Sequence, residues 1–398
     1  MEEPPLARKV LVILLQMMLL VDIASSDLHP TDLAALRNLR SNLEDMPGSC
    51  FFSTWNFELD PCHFFMGVIC DLIQGEKRVT VLNLGTGYAG VPGLAGKLSS
   101  SLGDLAFLKQ LTIAPGMVAG GIPKSLGKLS ELRFVGISRN RLSGRIPESL
   151  AGLINLEILD LSKNKLTGSI PKGLGKIPNL VAVTLSDNNL YGPMPSFSGR
   201  IAHLDLARNN LRGSLPPLSH TLQFLSLQRN NLAGGLGSLI PLQSLAYIDL
   251  CFNQFTGRVP QEVFDLKLSG LYLQHNKLSG SIAPTGPVQI KTIDLSYNSL
   301  SGKLPPFLAT AQILYLNNNR FSGTVPLAYL DSLLSTYLEI LYLQHNYLTD
   351  FEVHSDVSLP TSGSLCIQYN CMVPPTQSTC PLKSGKQVSR PRYQCIHS

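Results

Sequence analysis

Carboxylates, imidazoles and thiols are the side chains of this sequence whose types and spacing could do chemistry. Asp160, Asp205, Asp249 and Asp294 each stand between two apolar residues, and Thr184, Ser226, Tyr272, Tyr315 and Tyr342 occupy the same setting in the neighbouring segments. If each segment is a strand of one sheet, these acids fall on alternate strands, ~10 Å apart, which limits their mutual repulsion. A paired-carboxylate hydrolase uses ~5–10 Å, but also a cleft and an acid of raised pKa. A row of Asp on an open sheet is a common way to keep that face polar. His275 and His345 would lie three strands apart, ~14 Å, too far to share a metal ion. No nucleophile–base arrangement and no phosphate loop is visible. A Ser/His/Asp triad could be assembled on paper from any such surface and carries no weight. The cysteines lack finger-type ligand pairs for zinc. The sequence therefore assigns no catalytic residue, metal or cofactor, and the chain reads as non-enzymatic.

What positions these residues is a repeat. Asn140, Asn164, Asn188, Asn209, Asn230, Asn253, Asn276, Asn298, Asn319 and Asn346 recur every 21 to 27 residues. Each closes a pattern such as Leu159-Asp160-Leu161-Ser162-Lys163-Asn164. This period and pattern predict an α/β fold, a stacked leucine-rich-repeat solenoid of about 12 coils. In Leu159-x-Leu161 both leucines point inward and the residue between them outward, so each coil adds one short strand to a parallel sheet. The ladder asparagines are expected inside, their amides satisfying backbone groups freed where the chain turns. Many coils continue as Gly-x-Ile-Pro or a close variant, for example Gly168-Ser169-Ile170-Pro171. Two earlier coils are degenerate, with Gly87 and Gly116 at the ladder position. The 27-residue step to Asn346 predicts a small outward bulge.

The expected organisation is a signal peptide at 1–26, an N-terminal cap at 27–78, repeats at 79–350 and a Cys-rich C-terminal cap at 351–398. Arg8 and Lys9 precede an apolar stretch at residues 10–21, too short to span a bilayer, with cleavage expected near Ser26. No later segment is long enough for a membrane span, and the polar tail at 389–398 is no lipid-anchor signal. A secreted chain follows. The net charge is +5, and removal of residues 1–26, with two basic and three acidic groups, makes it +6. That mildly favours acidic partners or wall polyanions and does not point to nucleic acid. Within the cap, residues 31–43 are expected as an amphipathic helix capped by Thr31, and Trp55 as cap core. Cys62 is expected to pair with Cys70. Cys366, Cys371, Cys380 and Cys395 should form two bridges with three possible connectivities, leaving Cys50 and Cys251 over. No Asn-x-Ser/Thr sequon occurs, so no face is shielded by N-linked sugar.

Asp60-Pro61-Cys62, Gly67-Val68-Ile69-Cys70, the Leu-x-Gly-x-Ile-Pro coils and the tail Tyr369-Asn370-Cys371-Met372-Val373-Pro374-Pro375 resemble the plant extracellular leucine-rich-repeat family. That family includes receptor-like kinase ectodomains, receptor-like proteins and polygalacturonase inhibitors. The resemblance covers residues 27–398, and the tail looks like kinase-less secreted members. It implies a right-handed superhelix with a concave parallel sheet and extra convex-side strands. It also implies recognition of peptides, proteins or wall fragments. Two departures stand out: Phe64 replaces the usual cap tryptophan with one extra residue before Cys70, and neither kinase nor membrane span is present.

Binding residues are expected on the concave strands. A second row, two positions past the second leucine, runs Arg139, Lys163, Asp187, Arg208, Arg229, Phe252, His275, Tyr297, Asn318, His345. Its basic half would steer an acidic segment. Its aromatic half, with Tyr272, Tyr315 and Tyr342, would bury an apolar group or stack on sugar rings. The leading expectation is an apoplastic or cell-wall recognition protein with a peptide or protein partner, such as a receptor kinase, in signalling or defence. The rivals are an inhibitor of a wall-degrading enzyme and a pectin-binding wall protein. No pocket-forming insertion favours a steroid-type ligand.

Overall fold

The computed structural model describes residues 27–86, 92–351, 357–358, 360, 363–375, 378, 380 and 387–395. The apolar stretch at 10–21, the boundary at Ser26 and Gly87 lie outside the described residues. Each coil contributes two short strands to two long sheets. The longer sheet has 14 strands, with thirteen parallel rungs from Glu76–Leu84 to Ser364–Cys366 behind an antiparallel edge strand, Val68–Ile73. The other has 13 strands, from Leu43–Asp45 to Tyr347–Asp350. Leucine, isoleucine and valine side chains fill the space between them in one continuous core from Leu28 to Ile367. Among the described residues no helix is long and apolar enough to cross a membrane.

The ladder asparagines stitch successive coils together. Asn164 Oδ1 accepts from the Leu142 N–H of the preceding coil (2.9 Å), while Nδ2 donates to the carbonyls of Ile137, Leu161 and Ser162 (2.7, 3.1 and 3.1 Å). The ladder continues one rung past Asn346. There Asn370 accepts from the Leu348 N–H and donates to the Leu343 and Ile367 carbonyls. The residue before each asparagine turns the chain with a left-handed backbone, φ +53° at Lys163 and +60° at His345. Glycine or asparagine adopts that conformation most cheaply. The turn is held by the ladder itself, since Lys163 N–H donates to Ser186 O of the next coil (2.8 Å).

The caps close both ends. The first helix is Pro30–Asn42, one residue earlier than the pattern suggests, and His29 rather than Thr31 is its cap. His29 Nδ1 accepts from the Thr31 N–H (3.2 Å), and Pro30 at the first position has no N–H that would need an acceptor. Trp55 stacks on Phe65 (4.9 Å) and donates Nε1–H to Met66 O (3.0 Å). Beneath the helix, Asp32 is fully buried against Arg78, with 2.7 and 3.1 Å contacts, and also accepts from the Val79 N–H. Disulfides join Cys62 to Cys70, Cys366 to Cys380 and Cys371 to Cys395. Cys50 is free and exposed, and Cys251 free and buried. In the tail Arg390 donates to Asn346 O (2.9 Å) and lies over the rings of Tyr347 and Tyr369. The 27-residue step holds a helix, Leu327–Leu334, rather than a loose bulge. Its Tyr329 is fully buried and donates to Pro305 O (2.8 Å).

Candidate functional site

The row between the two leucines is continuous in the strand register of the longer sheet. Asp160 pairs with Thr184, and the row proceeds through Asp205, Ser226, Asp249, Tyr272, Asp294, Tyr315 and Tyr342. Its acids have a structural duty. Asp160 and Asp294 each accept from the N–H and hydroxyl of the serine two residues on, and Asp205 and Asp249 accept from the Ala207 and Cys251 N–H groups. Each carboxylate thus caps the turn into the left-handed residue.

The second row splits. Arg139, Lys163, Arg208 and Arg229 are all exposed, but Asp187 interrupts them, 3.8 Å from Arg208. Asp160 and Asp205 on the adjoining row dilute the positive potential further. From Arg229 onward the row becomes a stacked column. The Arg229 guanidinium lies 4.5 Å from the Phe252 ring centre, Phe252 stacks on His275 at 4.2 Å, and His275 on Tyr297 at 4.2 Å. Tyr315 and Tyr342 meet edge to face at 5.1 Å, and His345 sits 4.8 Å from Tyr369.

A second column was not anticipated. His203, Phe224 and Tyr247 occupy the position just before the first leucine, paired strand to strand, and stack at 4.2 and 4.7 Å. Tyr272 extends it, 5.6 Å from Tyr247, because Gly270 offers no side chain and the Tyr272 ring lies where a Cβ would sit. The signal available in the sequence was three aromatic rings at the ladder period. The two columns overlap on the rungs of Ser226, Asp249 and Tyr272, where they form a ring-walled trough three rungs long; Asp205 and Asp294 stand at its ends with a column ring on one side only. Because the stacked rings lie within 15° of parallel, their faces cover one another. What faces solvent is their electropositive edges, hydroxyls and imidazole nitrogens. Sugar-ring stacking, which needs open faces, is confined to the column ends. Two buried amide oxygens beside these rows, Gln274 Oε1 and Gln344 Oε1, accept no hydrogen bond among the described residues.

Burial pushes the Asp249 and Asp294 carboxyls above the ordinary value, against the opposing pull of their hydrogen bonds. Burial also lowers the His203 and His275 imidazoles, with Arg229 adding to the effect at His275. For the two acids the folded-state pKa exceeds the unfolded one. Their contribution to stability is therefore complete below the unfolded pKa and is lost as pH rises through the folded one. Asp294→Asn, which keeps the oxygen accepting from Ser296, should flatten this decline. The check is the urea midpoint of both proteins from acid to neutral pH; parallel curves would show that Asp294 does not titrate in the folded range.

Comparison with known proteins gives three matches to family patterns: leucine-rich repeats at 130–190 and 289–311, and a leucine-rich-repeat N-terminal domain at 29–71. Receptor-like protein 18 of Arabidopsis thaliana is 33% identical over 106 residues, 26% of this chain and 12% of that protein. Podocan-like protein 1 of Mus musculus is 37% identical over 118 residues, 27% of this chain and 20% of that protein. The chain thus matches only a small part of the length of these relatives. The Arabidopsis receptor kinase HAESA, solved with the peptide hormone IDA and the co-receptor SERK1, superposes with a TM-score of 0.66 at 28% identity. That match covers 86% of this chain and 58% of HAESA. The plant peptide hormone receptor RGFR1, in complex with RGF2, gives a TM-score of 0.59 at 27% identity over 70% of this chain and 54% of the receptor.

Proposed function

We propose that this chain, a member of the plant extracellular leucine-rich-repeat family, binds an extended peptide, or an extended segment of a protein partner, laid across the rungs of its longer sheet. The observation that carries this reading is the ring-walled trough, bounded by Arg229–Phe252–His275–Tyr297 on one side and His203–Phe224–Tyr247–Tyr272 on the other. Ring edges and tyrosine hydroxyls suit the carbonyls of a peptide backbone. The exposed arginines at 208 and 229 sit at one end, where an acidic residue of the ligand would meet them. HAESA and RGFR1, whose solved complexes contain peptide hormones, support a ligand of this class. Disulfides at both ends suit an oxidising extracellular setting. Within that setting we place the protein in the apoplast, engaging a receptor-type partner.

The test is capture from plant plasma-membrane and wall extracts by the purified protein, read by mass spectrometry, followed by affinity measurement on the captured partner. Phe252→Ala with Tyr297→Ala should weaken binding by about 2 kcal/mol, roughly thirtyfold, as truncation of aromatic anchors does. Arg208→Glu with Arg229→Glu should weaken it too, with the melting temperature nearly unchanged. Full affinity in both variants would move the site off this face. Capture of a pectin-degrading enzyme would turn the reading to inhibition.

A further inference from the structure

The other sheet carries a different pattern. Across its eleven consecutive strands from Leu94–Lys97 to Arg320–Thr324, and the residue after each, there are nine lysines and arginines and no aspartate or glutamate. Chance does not favour this in a chain with 32 basic and 27 acidic residues. Among the described residues none of the nine is in an ion pair. The outward positions between them are mostly serine, threonine, asparagine and glutamine.

Several of the basic stems are seated rather than loose. A Cβ on Gly168 would lie 2.8 Å from Arg145 Cγ, and one on Gly280 2.9 Å from Arg258 Cγ. The same arrangement, at 3.4 and 3.6 Å, sets Lys97 over Gly120 and Lys303 over Gly323. In each case the aliphatic stem lies in the notch left by the next coil's glycine, and the charged head projects beyond it. These glycines also have φ between +81° and +85°, so no other residue fills the notch without strain.

We infer that this sheet is a docking track for a linear polyuronate, a polysaccharide with one carboxylate per sugar ring. The track is about 50 Å long at ~4.8 Å per strand. Its charges are spread singly along it, far more sparsely than the one per ~1.7 Å of duplex nucleic acid. Membrane binding uses a compact basic cluster with an apolar face to insert, and this track offers hydroxyls and amides instead. Those groups match the hydroxyls that separate the carboxylates of a polyuronate. The inference is independent of the peptide trough, which lies on the longer sheet.

The experiment is calorimetric titration of the full chain with soluble polygalacturonate across a NaCl series, with cellohexaose as the uncharged control. Binding should weaken steeply with salt, and cellohexaose should not bind. Arg145→Ser with Arg258→Ser and Lys303→Ser should reduce affinity about tenfold and make the salt dependence shallower. Arg208→Glu with Arg229→Glu, on the longer sheet, should leave it intact. If the triple variant does not fold, Arg258→Ser alone should give a two- to threefold loss, about one surface ion pair. Unchanged affinity in the track variant, equal loss in the longer-sheet variant, or tighter binding of RNA or of phosphatidylserine vesicles would overturn the assignment.

Discussion

Asn164→Leu should destabilise the protein by about 3 kcal/mol, although it adds apolar surface. The amide serves four backbone groups at once: the Leu142 N–H and the carbonyls of Ile137, Leu161 and Ser162. Asn164 is buried, and each group left dry costs ~1–3 kcal/mol. A buried leucine side chain returns only ~1.5–3 kcal/mol. Because the four groups belong to two adjacent coils, the damage is to their interface, and repeat stability is a sum of such nearest-neighbour terms. Urea unfolding monitored by circular dichroism measures the loss, and limited proteolysis should report new cleavage in the coils around 137–166. A loss below ~1 kcal/mol would mean that water replaces the amide and that the ladder is not what joins the coils.

Arg78→Ala should cost ~3–5 kcal/mol, because it leaves the fully buried Asp32 carboxylate without its charged partner. The guanidinium makes two contacts with the carboxylate and also lies 4.5 Å from the Phe107 ring centre. The pair fastens the cap helix to the first long strand, so its loss should open the N-terminal end of the core. Asp32→Leu combined with Arg78→Met replaces the pair by apolar groups and should recover much of the stability. Thermal melts of the three proteins decide the point: a double variant no better than Arg78→Ala would show that the two side chains act separately.

The fold was legible because its rule is one-dimensional. A leucine pair and an asparagine at a near-constant period fix strand, turn and stacking together, and the observed register places Asp160 through Tyr342 on a single row as that period requires. Features that depend on side chains meeting across coils were less legible. His203, Phe224 and Tyr247 recur at the ladder period, but they precede the leucine pair at a position occupied elsewhere by Ile158, Ala182 and Thr292, so the run is short and easily passed over. Asp32 and Arg78 are 46 residues apart and outside the repeat. The acid-free track hides in the Gly-x-Ile-Pro segments, where glycine and proline suggest turns although the residues before them form strands. The left-handed row was hidden for a simpler reason: besides Asn318, Asp187 and the two histidines, its residues are arginine, lysine, phenylalanine and tyrosine, which do not favour such a backbone and are held in it by the ladder.

That last feature makes the protein a kind of written tape. The conformation of the left-handed position is set by hydrogen bonds from neighbouring coils, so the fold accepts arginine, aspartate, phenylalanine, histidine or tyrosine there under the same constraint. Each coil therefore contributes one freely chosen letter to the surface, and about 22 residues of chain become one ~4.8 Å step in space. Duplicating a coil would lengthen the message by a letter, and deleting one would join the letters on either side, without rewriting the rest. A surface built this way changes what it recognises by editing its spelling, while its grammar stays in the asparagines underneath.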